Sequence, residues 1–216
     1  MYIIQEICHA LWQHDFKTLS DHNIVWTTYL LVFIILFLEN GILPAAFLPG
    51  DSLLILIGVL IAKGTLTFPI TIILLTMAVS FGSWISYLQG TWLENNRCVK
   101  SWLANLPEQY HIRAYYMFHR HGLSALLVGR FIAFVRTLLP TIAGLSGLSS
   151  SRFQLFNWIS AFLWVFILTF LGFILGKTTL FQHYEKELML LLILVPLIFL
   201  AVGLVSSLVL ILRVKK

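Results

Sequence analysis

Charged residues are scarce in this chain. Only 11% of its 216 residues are Asp, Glu, Lys or Arg, with nine acids and fourteen bases, whereas a soluble domain carries roughly 25%. So few charges cannot cover a core made from a sequence that is 59% hydrophobic and has a mean hydropathy of +0.92. The composition therefore excludes an ordinary soluble domain and indicates a protein that folds in a bilayer.

Cysteine is also rare. Cys8 and Cys98 lie in unrelated contexts, with no second thiol or His at ligand spacing, so neither a disulfide nor a metal site is expected. The sequence also lacks a Ser/His/Asp set, a phosphate-binding glycine loop and a metal-ligand cluster. We therefore predict that the protein is not an enzyme and holds no cofactor, and that protons serve as the coupling ion.

Basic residues exceed acidic ones, but they do not indicate nucleic-acid binding. The net charge of +5 comes from bases that occur singly or in pairs, without an aromatic-basic stripe. We do not expect a secretory signal, because Glu6 and Asp15 fall where a basic or apolar region would lie. Residues 1–22 are predicted to form a short interfacial segment, with a disordered tail as the alternative.

Long uncharged runs predict the spanning helices. A helix that crosses a bilayer needs about 20 mostly apolar residues. Three runs meet this requirement, at residues 66–90, 153–176 and 188–212, and a shorter fourth extends from Ile24 to Leu38. The predicted fold is an all-α polytopic membrane protein with about four spanning helices, arranged as a single membrane domain over residues 1–216.

Two further apolar stretches, at residues 40–63 and 123–148, are interrupted. Proline removes a backbone donor and breaks helices, and freed backbone groups cannot face lipid. We therefore predict that each stretch forms a re-entrant helical hairpin. The residues expected to shape the hairpins are Pro44, Pro49 and Gly50 in the first, and Pro140 and Gly144 in the second.

The distribution of Lys and Arg predicts the topology. Residues 92–121, which we interpret as two amphipathic helices on the membrane surface, carry four bases against two acids, and the C-terminal tail is purely basic. Both should be cytoplasmic under the positive-inside rule. These assignments agree only if residues 123–148 return to the side from which they enter. We thus expect both termini in the cytoplasm and two opposed hairpins, an arrangement typical of transporters.

Four charges lie within or beside the hairpins: Glu39 and Asp51 at the first, Arg130 and Arg136 in the second. A charge deep in a bilayer costs at least about 2.5–3.5 kcal/mol, so these groups should face protein, water or each other. They could form two locking ion pairs. We favour a functional site, because a buried ion pair is weak evidence for stability.

The chemistry of these groups predicts separate roles. The guanidinium fork suits phosphate, so we hypothesise that Arg130 and Arg136 bind an anionic headgroup. A buried carboxylate can gain or lose a proton, so Glu39 or Asp51 is predicted to carry a coupling proton. Asp51 or its neighbour Ser52 has an alternative interpretation as the N-cap of the following helix.

Three small residues on one predicted helix, Gly82, Ser86 and Gly90, recur every four positions. This spacing is typical of closely packed membrane helices, so helix packing is the predicted role. Tyr87 on the same helix is a candidate to face a cavity. Asn157 lies inside an uncharged span and is expected to hydrogen-bond a neighbouring helix.

Two segments resemble family signatures. Phe37 to Gly41, continued by Pro44 and by Phe47 to Ser52, resembles the first signature of the DedA family of bacterial inner-membrane proteins, also called the SNARE-associated or VTT-domain family. Gly129 to Phe131, with Arg136-Thr137, Pro140 and Ala143-Gly144, resembles the second. The small-residue motif containing Gly82, Tyr87 and Gly90 lies between them. The resemblance extends almost end to end and is nearest to the YqjA and YghB subgroup of enterobacteria.

The resemblance implies a helical membrane fold with two opposed re-entrant hairpins, and a role in moving lipids across the bilayer. Bacterial members are associated with recycling undecaprenyl phosphate and with membrane homeostasis that depends on the proton gradient. The functional acids of the family match Glu39 and Asp51, and its functional arginines match Arg130 and Arg136.

The expected function is therefore proton-linked transport of a lipid phosphate such as undecaprenyl phosphate, or of a phospholipid. Two alternatives remain open: a proton-coupled antiporter of small cations or drugs, and a non-transporting scaffold for membrane homeostasis. The expected partners are membrane lipids and not nucleic acid, and homo-oligomerisation is left open.

Overall fold

The computed structural model describes residues 22–42, 50–95, 127, 129–183, 187–188, 190 and 194. Within these ranges the chain forms α-helices and no β-strand, which confirms the all-α prediction for the part described. The helices are α1 (His22–Gly41), α2 (Gly50–Ala62), α3 (Phe68–Asn95), α4 (Ala133–Leu145), α5 (Ser150–Lys177) and α6 (Thr179–His183).

Among the described residues, three helical segments are long and apolar enough to cross a membrane: Ile24–Gly41, Phe68–Leu93 and Ser150–Lys177. They coincide with three of the four predicted spans. Several other predictions fall wholly or largely outside the described residues. These are the interfacial segment at 1–22, Pro44 and Pro49, the surface helices at 92–121, and the last span at 188–212. Residues 92–95 of the predicted surface helices instead continue α3, which ends at Asn95.

A short helix followed by a long one occurs twice. Helix α2 has 13 residues and α3 has 28, and the same lengths recur in α4 and α5. Each short helix is followed by a turn containing a glycine with positive φ, at Gly64 (81°) and Gly147 (66°), a conformation that favours glycine. The sequence shows no strong internal repeat, so this repeated arrangement is apparent only in the structure.

The chain divides into two compact units. The first unit comprises Met1–Ile35, Phe47–Leu74 and Val165–Lys216, and the second comprises Leu36–Ala46 and Leu75–Trp164. In the first unit, α2 packs against α5 through glycines. A Cβ on Gly58 would lie 2.7 Å from the Phe173 nitrogen and 2.8 Å from the Gly172 Cα, so these two helices approach backbone to backbone.

In the second unit, α4 packs against α3 in the same manner. A Cβ on Gly144 would lie 2.8 Å from the Thr91 nitrogen, and one on Gly90 would meet the backbone of Thr141. Ser86 Oγ lies 2.8 Å from Thr141 Oγ1. Only small side chains fit between helices this close, so the contact fixes α4 on α3.

The second unit also holds the end of α1 against α3. A Cβ on Gly82 would lie 3.1 Å from the Asn40 Cβ and 3.2 Å from the Gly41 nitrogen. Gln89 Nε2 donates to the Gly41 carbonyl oxygen at 3.1 Å. This contact sets the position of the last turn of α1, which carries Glu39.

Pro140 lies inside α4 and does not interrupt it. We expected a helix break here, but α4 extends from Ala133 to Leu145 with Pro140 in its interior. Proline removes one helical hydrogen bond, and the close packing of α4 on α3 outweighs that local cost. The chain reverses later, at Ser146 and Gly147, where the Leu148 nitrogen donates to the Ala143 carbonyl at 3.3 Å.

Candidate functional site

Arg130 is buried in the second unit, in the turn that precedes α4, and is 5% exposed. Its Nη1 donates to Ser160 Oγ at 2.6 Å and to the Asn157 carbonyl at 2.9 Å. Its Nη2 donates to Ser83 Oγ at 2.6 Å. The Asn157 Oδ1 accepts from Nη1 at 3.3 Å and from Nη2 at 3.2 Å. A buried cation needs partners of this kind, and in the described part of the chain every acceptor of Arg130 is neutral.

We call Ser83, Asn157 and Ser160 the Arg130 cradle. Its orientation depends on Asn157, because Asn157 Nδ2 donates to the Ser80 carbonyl on α3 at 2.9 Å. An amide has its donor and its acceptor on opposite branches, so this bond turns Oδ1 toward Arg130. The prediction that Asn157 bonds a neighbouring helix is confirmed. Its contact with Arg130 adds a second role, that of joining α5, α3 and the guanidinium.

Arg136, near the start of α4, forms an ion pair with Glu39 through Nη2 and Oε1. Both side chains are almost fully buried. Glu39 lies in the last turn of α1, where the negative end of the helix dipole disfavours a carboxylate, so the guanidinium offsets an unfavourable position. The Arg136 Cζ also lies 4.7 Å from the centre of the Trp164 ring, a cation–π distance. The structure therefore brings together three of the four charges singled out in the sequence.

A small cavity lies beside the two guanidiniums. It is lined by the polar residues Arg130, Arg136, Asn157 and Ser160 and by the apolar residues Leu139, Pro140 and Phe153. The cavity has room for about one water molecule. A phosphate group is larger than that, so it would enter only after side chains around the cavity move.

A family comparison supports the resemblance seen in the sequence. The family model described as the VTT domain matches residues 48–174, which is more than half of the chain. The chain belongs to the VTT-domain, or DedA, family. The match includes Asp51, both arginines and the Arg130 cradle, and it begins after Glu39.

Curated relatives give the same assignment. The chain is 59% identical to inner membrane protein YqjA of Escherichia coli (strain K12) over 215 residues, covering 100% of this chain and 98% of the relative. It is 54% identical to inner membrane protein YghB of the same organism, with the same coverage. Protein DedA of Escherichia coli (strain K12) is 31% identical over 166 residues, 76% of this chain and 75% of the relative. No solved structure matches.

The other site residues predicted for this DedA-family chain have different surroundings. Asp51 is half-buried in the first turn of α2, in the first unit. Because α2 begins at Gly50, Asp51 lies in the first turn of the helix and not at its N-cap. The positive end of the helix dipole favours a carboxylate in this first turn. Tyr87, a candidate to face a cavity, instead donates to the Leu148 carbonyl at 2.5 Å and stacks on Phe153.

Sequence reasoning missed most of the Arg130 cradle and the Trp164 contact. Ser83 and Ser160 are single hydroxyls in apolar helices, a pattern that packing alone would also produce. The available signal was the position of Asn157 and Ser160 three residues apart, on one face of a helix. Trp164 had no signal of its own, because a tryptophan in an apolar span usually faces lipid or the core.

Proposed function

We propose that this chain is a proton-linked transporter that moves a lipid-linked phosphate, such as undecaprenyl phosphate or a phospholipid, across the bacterial inner membrane. The observation that carries the proposal is the pair of buried arginines beside one cavity. Arg136 pairs with Glu39, whereas among the described residues Arg130 contacts neutral acceptors only. A buried cation without a contacting carboxylate favours the approach of an anion.

The lining of the cavity supports a lipid phosphate as that anion. Polar groups from both arginines, Asn157 and Ser160 form one part of it, and Leu139 and Phe153 contribute apolar surface. A phosphate joined to a hydrocarbon chain presents the same combination of charge and apolar area. The apolar, uncharged faces of the long helices would keep such a ligand within the bilayer.

The two arginines have different roles in binding it. Both Nη atoms of Arg130 are committed to the cradle through five contacts, so Arg130 contributes mainly its charge. Arg136 donates to the carboxylate of Glu39 through Nη2. In the proposed cycle, Arg136 leaves Glu39 and offers its fork to the phosphate.

The exchange of partners provides the link to protons. When phosphate takes Arg136, the carboxylate of Glu39 is left buried without its guanidinium, which strongly favours protonation. When phosphate leaves, Glu39 loses that proton and pairs with Arg136 again. One proton is thus taken up for each phosphate bound. Asp51, in the first turn of α2, is proposed as a second proton-carrying acid. The proposed cycle moves its substrate without converting it chemically.

The membrane arrangement that goes with this cycle has four spanning helices and two re-entrant hairpins in a single domain. A 13-residue helix such as α2 or α4 is about 20 Å long, shorter than the roughly 30 Å core of a bilayer. Each is followed by a tight turn and a 28-residue helix. A helix too short to cross the bilayer supports a stretch that enters and leaves on one side, as proposed for residues 40–63 and 123–148. The excess of Lys and Arg supports cytoplasmic termini, and the relatives YqjA and YghB are named inner membrane proteins.

The proposal is tested with purified protein in sealed vesicles that contain a fluorescent polyprenyl phosphate. A membrane-impermeant reagent that destroys the fluorophore reports which leaflet holds the lipid. Protein-containing vesicles should lose fluorescence beyond the outer-leaflet fraction, and vesicles with the Arg136→Ala variant should not. Movement that is equal with and without the wild-type protein would refute the proposal.

One observation favours the antiporter as a second candidate. Glu39 and Trp164 already hold a guanidinium between a carboxylate and an aromatic face, and an organic cation could bind in the same way. The same vesicles loaded with a pH-sensitive dye distinguish the two. Proton release on addition of tetraphenylphosphonium or sodium, with no lipid movement, would favour the antiporter. A protein inactive in both assays would favour the scaffold.

A further inference from the structure

The Arg130 cradle consists entirely of neutral acceptors. Ser83 and Ser160 supply hydroxyls, and Asn157 supplies an amide oxygen and a backbone carbonyl. A carboxylate at any of these positions would bind the Arg130 guanidinium more strongly, because hydrogen bonds between ions are shorter and stronger than those to neutral groups. The neutral cradle orients the guanidinium and leaves its positive charge available to a further partner.

We propose that Asn157 sets the charge selectivity of the site, an inference that rests on the proposed function. Asn157 is 2% exposed and contacts Arg130 through both its side-chain and backbone oxygens. Its Nδ2 is held by the Ser80 carbonyl, so the amide cannot turn its donor toward Arg130 without losing that bond. It acts through the guanidinium that it holds in place, and is therefore a positioning residue. By remaining neutral, it keeps the site selective for anions.

Asn157→Asp tests this, because aspartate has nearly the same shape and replaces the neutral amide by a charge, although it also loses the donor to the Ser80 carbonyl. The new carboxylate would lie about 3 Å from both Nη atoms of Arg130, close enough to cancel most of the charge that a ligand experiences. Ser160→Ala is the matched control. Ser160 lies on the same face of α5 as Asn157. Its replacement by alanine removes the 2.6 Å hydrogen bond to Arg130 Nη1 but adds no charge.

The probes are decyl phosphate, inorganic phosphate and decyltrimethylammonium, and the measurement is the melting temperature of the purified full-length protein against probe concentration. Decyl phosphate should stabilise the wild type, and decyltrimethylammonium should not. Inorganic phosphate shows whether the site takes the free anion as well as the alkyl phosphate. Asn157→Asp should weaken the apparent affinity for decyl phosphate by at least about tenfold, whereas Ser160→Ala should keep the preference for the anion and lose less affinity than Asn157→Asp.

Two results would overturn the proposal. One is an Asn157→Asp variant that elutes as a folded helical protein and binds decyl phosphate as the wild type does. The other is an equal loss in Asn157→Asp and Ser160→Ala, which would mean that the cradle matters for structure and not for charge. If Asn157→Asp does not fold, Ser160→Asp introduces the charge from the cavity side and carries the same expectation. A wild type that responds to neither phosphate probe would refute the anion site itself, and with it the proposed function.

Discussion

Replacing Glu39 by glutamine separates the charge of this side chain from its shape. Glutamine retains an oxygen that accepts a hydrogen bond from Arg136 but cannot ionise. Hydrogen bonds to charged acceptors contribute about 1.5–3 kcal/mol and neutral ones about 0.5–1.5 kcal/mol. Because Arg136 is itself charged, we take the lower end of that difference, about 1 kcal/mol, as the expected weakening of the contact.

In the proposed cycle, Glu39 competes with the ligand for Arg136. A contact weaker by about 1 kcal/mol should therefore increase the affinity of the Glu39→Gln variant for decyl phosphate roughly fivefold near neutral pH. The dependence on pH should also change. Binding to the wild type takes up one proton, so its affinity should rise as pH falls, by at most about tenfold per pH unit. The variant should lack this contribution.

Calorimetric titration of the purified proteins with decyl phosphate, between about pH 6 and pH 8, measures both effects. The phosphate probe ionises in this range, but it does so equally in both titrations, so the ratio of the two dissociation constants isolates Glu39. The dissociation constant of the wild type divided by that of Glu39→Gln should approach one at low pH and increase as the pH rises. Parallel pH profiles, or weaker binding by Glu39→Gln at high pH, would refute the exchange of partners.

Three further comparisons between variants test the geometry. Arg130→Lys should lower the melting temperature more than Arg136→Lys, because an ammonium cannot reach all three cradle residues at once; equal decreases in thermal unfolding would contradict the cradle. Trp164→Leu should destabilise the protein by more than the roughly 0.5–2 kcal/mol of a cation–π contact, because it also removes the packing of a side chain that is 1% exposed. Trp164→Phe should be intermediate, and an unchanged melting temperature for both would exclude the contact. Gly90→Val should lower the free energy of unfolding, measured by denaturation, by about 1–3 kcal/mol, because the side chain overpacks against α4. Gly64 faces open space, so Gly64→Ala should cost only the strain of a positive φ, about 1–2 kcal/mol. A smaller cost at Gly90 than at Gly64 would argue against the close helix contact.

Local signals in the sequence were sufficient to predict the three described spans and to single out the charged residues of the candidate site. The length of an uncharged apolar run decides whether a helix can cross a bilayer, and this property needs no tertiary information. The insertion cost of a charge likewise singles out Glu39, Arg130 and Arg136 in any apolar segment. Their chemistry predicted an anion site, which remains a proposal. Ion pairs between the acids and the arginines were the alternative, and one such pair forms between Glu39 and Arg136.

The contacts of Arg130 could not be predicted because they are non-local. Ser83 lies 47 residues from Arg130 in sequence, and Ser160 lies 30 residues away. A serine in an apolar helix has the same local pattern whether it packs between helices or accepts from a guanidinium. Pro140 shows that packing can also override a local signal. Proline favours a helix break, but α4 continues through Pro140 where it packs against α3. The repeated pair of short and long helices depends on lengths and turns and not on residue identity, so it left no repeat in the sequence.

The most direct test of the central claim is the rate of polyprenyl phosphate movement in sealed vesicles with and without an imposed pH gradient, for the wild type and Glu39→Gln side by side. We predict movement by the wild type that speeds up when the gradient is imposed, and movement by the variant that does not respond to the gradient. A wild type that moves no lipid, or one whose rate is the same in the presence and absence of the gradient, would contradict proton-linked transport through Glu39 and Arg136.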